Sequence, residues 1–228
     1  MIKVTISDEL TGKYEKAAAY LIHANVKAEK SSEKLLELIA GECEKIEETL
    51  PLDEIMKKEE IANTRLCYKA VGKDPHRYRN AAEAMLRRVV KGKGLYRINN
   101  VVDINNLVSI TTGFSISTFD VSSINPPLEL TVSPEGTSYQ GIGREAVNVE
   151  NLPAMRDSEG FFGNPTSDSQ RSKIDEGDRE ILMCIYAFGS HESAENAGKT
   201  AAELLKEYCQ AEIIGEKLIW KEENQCEI

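Results

Sequence analysis

The stretch "RINNVVDINNL", Arg97 to Leu107, sets four asparagines and an aspartate around a Val-Val pair. Asparagine competes with its own backbone for hydrogen bonds, so such density marks turns, helix caps or a polar pocket rather than the middle of a regular element. Continued as "VVDINNLVSITTG", the segment has helical spacing through Val102, Leu107 and Ile110 and stops at Gly113. Asn99 and Asn100 are read as the turn into this helix, Val101 and Val102 as its anchor in the core, and Asp103 as its cap. Asn106 is the amide expected to face a pocket.

Just upstream, "RNAAEAMLRRVVKGKG" reads as another helix, with Ala82, Met85, Leu86 and Val89 inward. Arg87, Arg88 and Lys91 fall near its C-terminal end, and Gly92 or Gly94 terminates it. Further back, "MIKVTI" alternates as a strand and "AAAYLIHANVK" reads as a second, partly buried one. Ser31 or Ser32 caps a helix to about Leu50, carrying Leu35, Leu38, Ile39, Cys43 and Ile46 on one face and stopped by Pro51. A further helix is predicted from Asp53 to about Lys69. Downstream, "INPPLELTVS" and the glycines after it indicate short strands and turns, and "DREILMCIYAF" is apolar enough for a central strand. "SAENAGKTAAELLKEY" then reads as an amphipathic helix and "AEIIGEKLIW" as a terminal strand or hairpin. With no repeat or linker, the simplest architecture is one mixed α/β (α+β) domain over residues 1–228.

Composition narrows the function. With 41% hydrophobic and 29% charged residues in 228, the chain is globular. It has no apolar run suited to a signal peptide or a membrane span, so a cytoplasmic protein is expected. The five cysteines are scattered and the three histidines isolated, which gives reduced thiols and no preformed transition-metal site, though the carboxylates leave magnesium open. No cofactor is indicated. The net charge of −10 disfavours nucleic acid as a whole, yet from Arg65 to Arg97 ten Lys or Arg face two acids, so that segment carries +8 against −18 elsewhere. Such asymmetry either focuses an anionic ligand or merely solvates a helix.

Two short motifs fail on context. "AGKT" at 197–200 lacks the glycine that a phosphate-binding loop needs five residues earlier, where Ser193 stands. "GIGREA" at 141–146 has dinucleotide-fingerprint spacing, but "VNVENLP" after it does not read as a helix.

Read together, "LRRVVKGKGLYRINNVVDINNLVSITTGFSISTFDVSSI" resembles the B3/B4 domain of the phenylalanyl-tRNA synthetase β subunit. The resemblance lies in "INNVVD" at Ile98–Asp103, Asn106, Gly113, and "FD" at Phe119–Asp120. A second block, "EGFFGNPTSDSQRSKI", is similar to that family's glycine-rich loop and leads to the strand ending in "YAF". The similarity runs from about Arg79 to Phe188. It implies a B3/B4-like fold and an editing-type function: binding the aminoacylated 3′ end of a tRNA and hydrolysing the ester of a wrong amino acid, here as a free-standing protein acting in trans. Such a second sieve exists because binding alone rejects a near-isostere by only ~10²-fold.

The resemblance places pocket residues at Asn106, Ser117 and Gly160, with Gly163, Thr166, Asp168 and Cys184 as further lining. Ser117 departs from the histidine usual in the bacterial enzymes, and a glutamate of those enzymes falls near Cys184. Losing both removes the polar partners of a phenolic hydroxyl, so tyrosine is not an assured substrate. Arg79, Arg87, Arg88, Lys91 and Lys93 are the candidate tRNA contacts. Each has a plainer reading: Asn106 as a helix brace, the glycines as turns, "NPTSDSQR" as a capped loop and the cations as a solvated helix end. The alternatives to a deacylase are a non-catalytic RNA- or amino-acid-binding module and a hydrolase of another small ester or amide.

Overall fold

The computed structural model describes all 228 residues. In chain order the elements are β1 (Lys3–Ile6), α1 (Asp8–Lys13), β2 (Ala18–Ala28), α2 (Glu33–Thr49), α3 (Glu59–Ala70), α4 (Ala81–Val89), α5 (Asn100–Thr112), β3 (Ser115–Asp120), β4 (Leu128–Val132), β5 (Ser138–Gln140), β6 (Ala146–Asn148), β7 (Pro153–Asp157), β8 (Gly160–Gly163), β9 (Gly177–Ala187), α6 (His191–Cys209), β10 (Glu212–Trp220) and β11 (Gln225–Glu227). The result is a mixed α/β protein.

The apolar runs in β2 and β9 decide the layering. They pair antiparallel along their whole length, Ala18 opposite Ala187 through to Ala28 opposite Gly177, at the centre of a four-stranded sheet ordered β10-β2-β9-β3. A strand buried on both faces needs no polar alternation. Ala18, Tyr20, Ile22 and Ala24 of β2, with Ile181, Met183 and Ile185 of β9, pack under α2, α4, α5 and α6. The intervening residues, Ala19 and Leu21 of β2 with Leu182, Cys184 and Tyr186 of β9, face a second sheet ordered β11-β1-β4-β7-β8. Helices, sheet and sheet therefore form three layers with a core on each side of the central sheet. Leu21 and Ile22 are both fully buried, on opposite faces, and each contributes about 1.5–3 kcal/mol of transfer free energy. Within α6, Gly198 lets Tyr20 approach so closely that an added Cβ would sit 2.1 Å from its ring.

The asparagines of the opening stretch hold this arrangement together. Asn99, not Asp103, caps α5: its Oδ1 accepts from Val102 N at 3.0 Å, while its Nδ2 donates to Ile174 O. Asp103 lies one turn in, beyond capping position, and instead accepts from Ile98 N at 2.9 Å and from Ser31 Oγ at 2.6 Å. Asn100 donates to Lys27 O and Tyr208 O and accepts from Glu29 N, tying α5 to the ends of β2 and α6. The apolar face of α5 is broader than the sequence spacing indicates. Val101, Ile104, Leu107, Val108 and Ile110 are buried while Val102 is half-buried.

The helix expected from Asp53 begins later. Ile55–Lys57 form a single 3₁₀ turn, Lys58 adopts an extended ψ of 129°, and α3 starts at Glu59. The extended Lys58 interrupts the i→i−4 ladder, and a new one starts where Ala62 N donates to Lys58 O at 2.9 Å. Both failed motifs sit where their context places them: "AGKT" lies inside α6, and "GIGREA" leads into β6 rather than a helix. No helix is long and apolar enough to cross a membrane.

Candidate functional site

β3 is the edge strand beside β9, with Ser117 opposite Cys184 and Ser115 opposite Tyr186. Opposed residues of an antiparallel pair share a face, so Ser117, Cys184 and Tyr186 point together toward the second sheet. There the loop after β8 brings in Asp168, 51 residues along the chain, whose Oδ1 accepts from Ser117 Oγ at 2.6 Å. Gly163 makes the approach feasible, since a Cβ there would lie 2.3 Å from the Phe119 ring and 3.0 Å from Asp168 Oδ1.

The loop carrying Asp168 is braced at several points. Asn164 Oδ1 accepts from Thr166 N and Ser167 N, and its Nδ2 donates to Tyr139 Oη at 2.6 Å. Thr166 Oγ1 shares a hydrogen bond of 2.7 Å with the buried Tyr68 hydroxyl. Tyr139 donates to Ser167 O. Arg171, the last residue of the "NPTSDSQR" stretch, clamps the base of the loop by binding Asp157 with both guanidinium ends, at 2.8 and 3.1 Å.

The electrostatics of this cluster follow from burial. Asp168 keeps part of its surface at solvent, but protein surrounds its carboxyl and pushes its pKa from 3.8 up to about 7, against the lowering effect of the Ser117 and Asn164 hydrogen bonds. The Cys184 thiol is driven far up by burial and is neutral. Tyr186 is raised by burial and by the neighbouring Cys184 and Asp168. Its fully buried hydroxyl lies by Ser117 yet makes no hydrogen bond. An enclosed carboxyl that titrates near neutrality, with hydroxyls on two sides, can exchange protons with a bound reactant.

Of the sequence-predicted pocket residues, Ser117, Gly163, Thr166, Asp168 and Cys184 converge on this cluster. Asn106 and Gly160 do not join it. Strand alternation turns Thr118 to the helix side, where its Oγ1 donates to Asn105 Oδ1 at 3.0 Å, and Asn105 in turn donates to Asn106 at 3.3 Å. Asn105 is thus the buried amide of this pair and Asn106 the half-exposed one. Gly160 forms the β7–β8 turn with a positive φ of 119°, a conformation that requires glycine. Tyr186 was missed because an apolar central strand gives no sign that one tyrosine faces a carboxyl.

The basic segment is partly self-neutralised. Glu83, fully buried in α4, accepts from Arg65 and Arg87 at 2.9 Å each, with Arg79 at 3.6 Å. Arg87 therefore holds the fold rather than standing free, because a buried carboxylate must be paired. Lys73 is likewise buried, donating to Asn148 Oδ1 and Glu150 O with the Tyr78 ring 3.8 Å away, and burial lowers its pKa. Arg88 stacks on Tyr96 with its guanidinium carbon 4.0 Å from the ring centroid. Lys91, Lys93 and Arg97 are exposed. No group of three or more His, Cys, Asp or Glu side chains is placed to hold a metal ion.

The structure is similar to the crystal structure of an N-terminal fragment of the phenylalanyl-tRNA synthetase β subunit from Pyrococcus horikoshii, at 14% identity and a TM-score of 0.47. The match covers 95% of this chain and 50% of that one, so the chain spans about half the length of the fragment. No curated protein matches the sequence. The B3/4 domain family matches residues 63–210, a span that contains β3, the Asp168 loop and β9. With well over half of its length within that match, the chain belongs to the B3/4 domain family.

Proposed function

We propose that the protein is a tRNA-associated, editing-type domain that hydrolyses the ester of misacylated tRNA in trans. The observation that carries this reading is the Ser117–Asp168 pair, a carboxyl near neutrality held 2.6 Å from a hydroxyl. Membership of the B3/4 domain family supports a tRNA-synthetase-related role, and the sequence resemblance supplies the aminoacyl ester as the substrate class of this proposal. An aminoacyl ester is already activated, so the site must hold the amino acid, position a water and stabilise the developing oxyanion; it needs no strong base. With a pKa of about 7, Asp168 is about half ionised at neutral pH and can take a proton from an attacking water and return it to the leaving ribose oxygen. Ser117 fixes the carboxyl by donating to Oδ1. The testing experiment incubates the protein with a panel of mischarged tRNAs and follows ester loss.

A second reading, a binding module without turnover, has its own support. Ser117 is only 1% exposed, and the cavities of about 280–380 Å³ are lined by other residues. On that reading the protein binds tRNA saturably and accelerates no deacylation.

A further inference from the structure

The loop between α4 and α5 carries a feature that the Ser117–Asp168 cluster does not use. Tyr96 is 64% exposed although it is a large aromatic side chain, and Arg88 covers only one face of its ring. Gly92 and Gly94, both at positive φ (68° and 54°), fold the loop back over α2. The groove so formed has a volume of about 310 Å³, at the small end of the ~300–1,000 Å³ typical of small-ligand sites. Its floor is apolar, from Leu36, Ile39 and Cys43 of α2 together with Leu95, and its rim carries Tyr96, Lys93 and Arg97.

Asp103 lines the groove, but its carboxylate is occupied by Ile98 N and Ser31 Oγ. Glu47 reaches in from α2, its Oε1 3.1 Å from where a Gly92 Cβ would be. Glu42, paired with Lys45 at 3.8 Å, and Glu44 flank Cys43 on the same helix, so against four acids stand Arg88, Lys91, Lys93 and Arg97, in the +8 segment of a chain that is otherwise strongly acidic. An exposed aromatic ring backed by a guanidinium, over an apolar floor, beside free cations, matches the requirements of a single unpaired base with its phosphate. Stacking accepts any base because every base has a π-face, and the cations neutralise the backbone.

We infer that this groove binds one unpaired nucleotide in the single-stranded 3′ tail of an RNA, its base stacked on the free face of Tyr96 and its phosphate held by Lys93 and Arg97. The inference rests on the RNA association proposed above and adds a second contact point, remote in sequence from Asp168. An internal base pair of a duplex cannot use it, since both of its faces are covered by the neighbouring pairs.

The test measures binding of a fluorescent RNA hairpin with an unpaired 3′ tail, and of the same hairpin blunt-ended, to the full chain and to Tyr96→Ala, Tyr96→Phe and Lys93→Glu/Arg97→Glu. The expected result is preference for the tailed hairpin, roughly 10-fold weaker binding in Tyr96→Ala, retention in Tyr96→Phe, and a shallower salt dependence in the double charge variant. Equal binding of tailed and blunt RNA, or a Tyr96→Ala variant that binds the tail as well as the parent, overturns the inference, as does binding of neither RNA. The unfolding midpoint of Tyr96→Ala, expected to be unchanged because the ring is exposed, excludes a folding artefact. Deacylation of mischarged tRNA by a protein indifferent to Tyr96 leaves the editing reading standing and removes the groove; tail binding without deacylation does the reverse.

Discussion

Ser117 Oγ donates to Asp168 Oδ1 at 2.6 Å across 51 residues of chain, joining an edge strand of the central sheet to the loop that follows β8. The bond lies where a carboxyl is raised to about 7, so it ties the fold, the protonation state and the proposed chemistry to one place.

The first prediction concerns pH and stability. Asp168 has a folded pKa of about 7 and an ordinary value of 3.8, so the folded state holds its proton more tightly than the unfolded state. Its contribution to stability is fully present below about pH 4 and is lost as the pH rises to 7, because ionising a buried carboxyl costs free energy that the unfolded chain avoids. Asp168→Asn removes that loss. Urea unfolding at pH 5 and pH 8 should show the variant gaining on the parent, by an amount on the order of 3 kcal/mol, as the pH rises. A constant difference between the two proteins would contradict the burial argument.

A second prediction concerns the close approach at Gly163. Alanine there puts a methyl 2.3 Å from the Phe119 ring, and Phe119 is itself locked edge-on to Phe162 at 4.8 Å between centroids. The ring has to move, with a destabilisation of about 1–3 kcal/mol. Thermal unfolding and near-ultraviolet circular dichroism of Gly163→Ala measure the cost and the displacement.

The third separates structural from free cations. Glu83→Gln leaves Arg65 and Arg87 without their buried partner and should destabilise by about 2–4 kcal/mol. Lys91→Glu/Lys93→Glu, at exposed positions, should leave stability within about 0.5 kcal/mol of the parent. The same lysine pair should lower the slope of log affinity for tRNA against log salt by about 1–2 if both meet phosphates. Denaturant titration and salt-dependent binding on the same two variants check both halves.

These contrasts show what a single sequence can convey. The long apolar run of β9 announces a strand buried on both faces, because burial leaves no place for polar alternation, whereas β2, expected to be partly buried, is buried on both faces from Ala18 to Ala24. Asn99 and Asp103 are both good caps in the same stretch, and only the position of the first helical turn separates them. Contacts at long range had no local signal at all. Nothing near Glu83 marks it as the partner of Arg65, and nothing near Ser117 points to Asp168. The family resemblance proposed Ser117 and Asp168 as neighbours of one pocket, while the alternation of β3 decides that Asn105 and Asn106 stand across the sheet from them.

The most direct test of the central claim is ester loss from mischarged tRNAs with the parent protein, Ser117→Ala and Asp168→Asn, followed from pH 6 to 8. The account predicts that at least one aminoacyl-tRNA is hydrolysed faster than in buffer, with a rate that, after subtraction of the buffer rate at each pH, climbs through about pH 7 in the parent and falls to near zero in Asp168→Asn. No acceleration for any amino acid at enzyme-like concentrations, with tRNA binding intact, would contradict it and leave a binding module in its place.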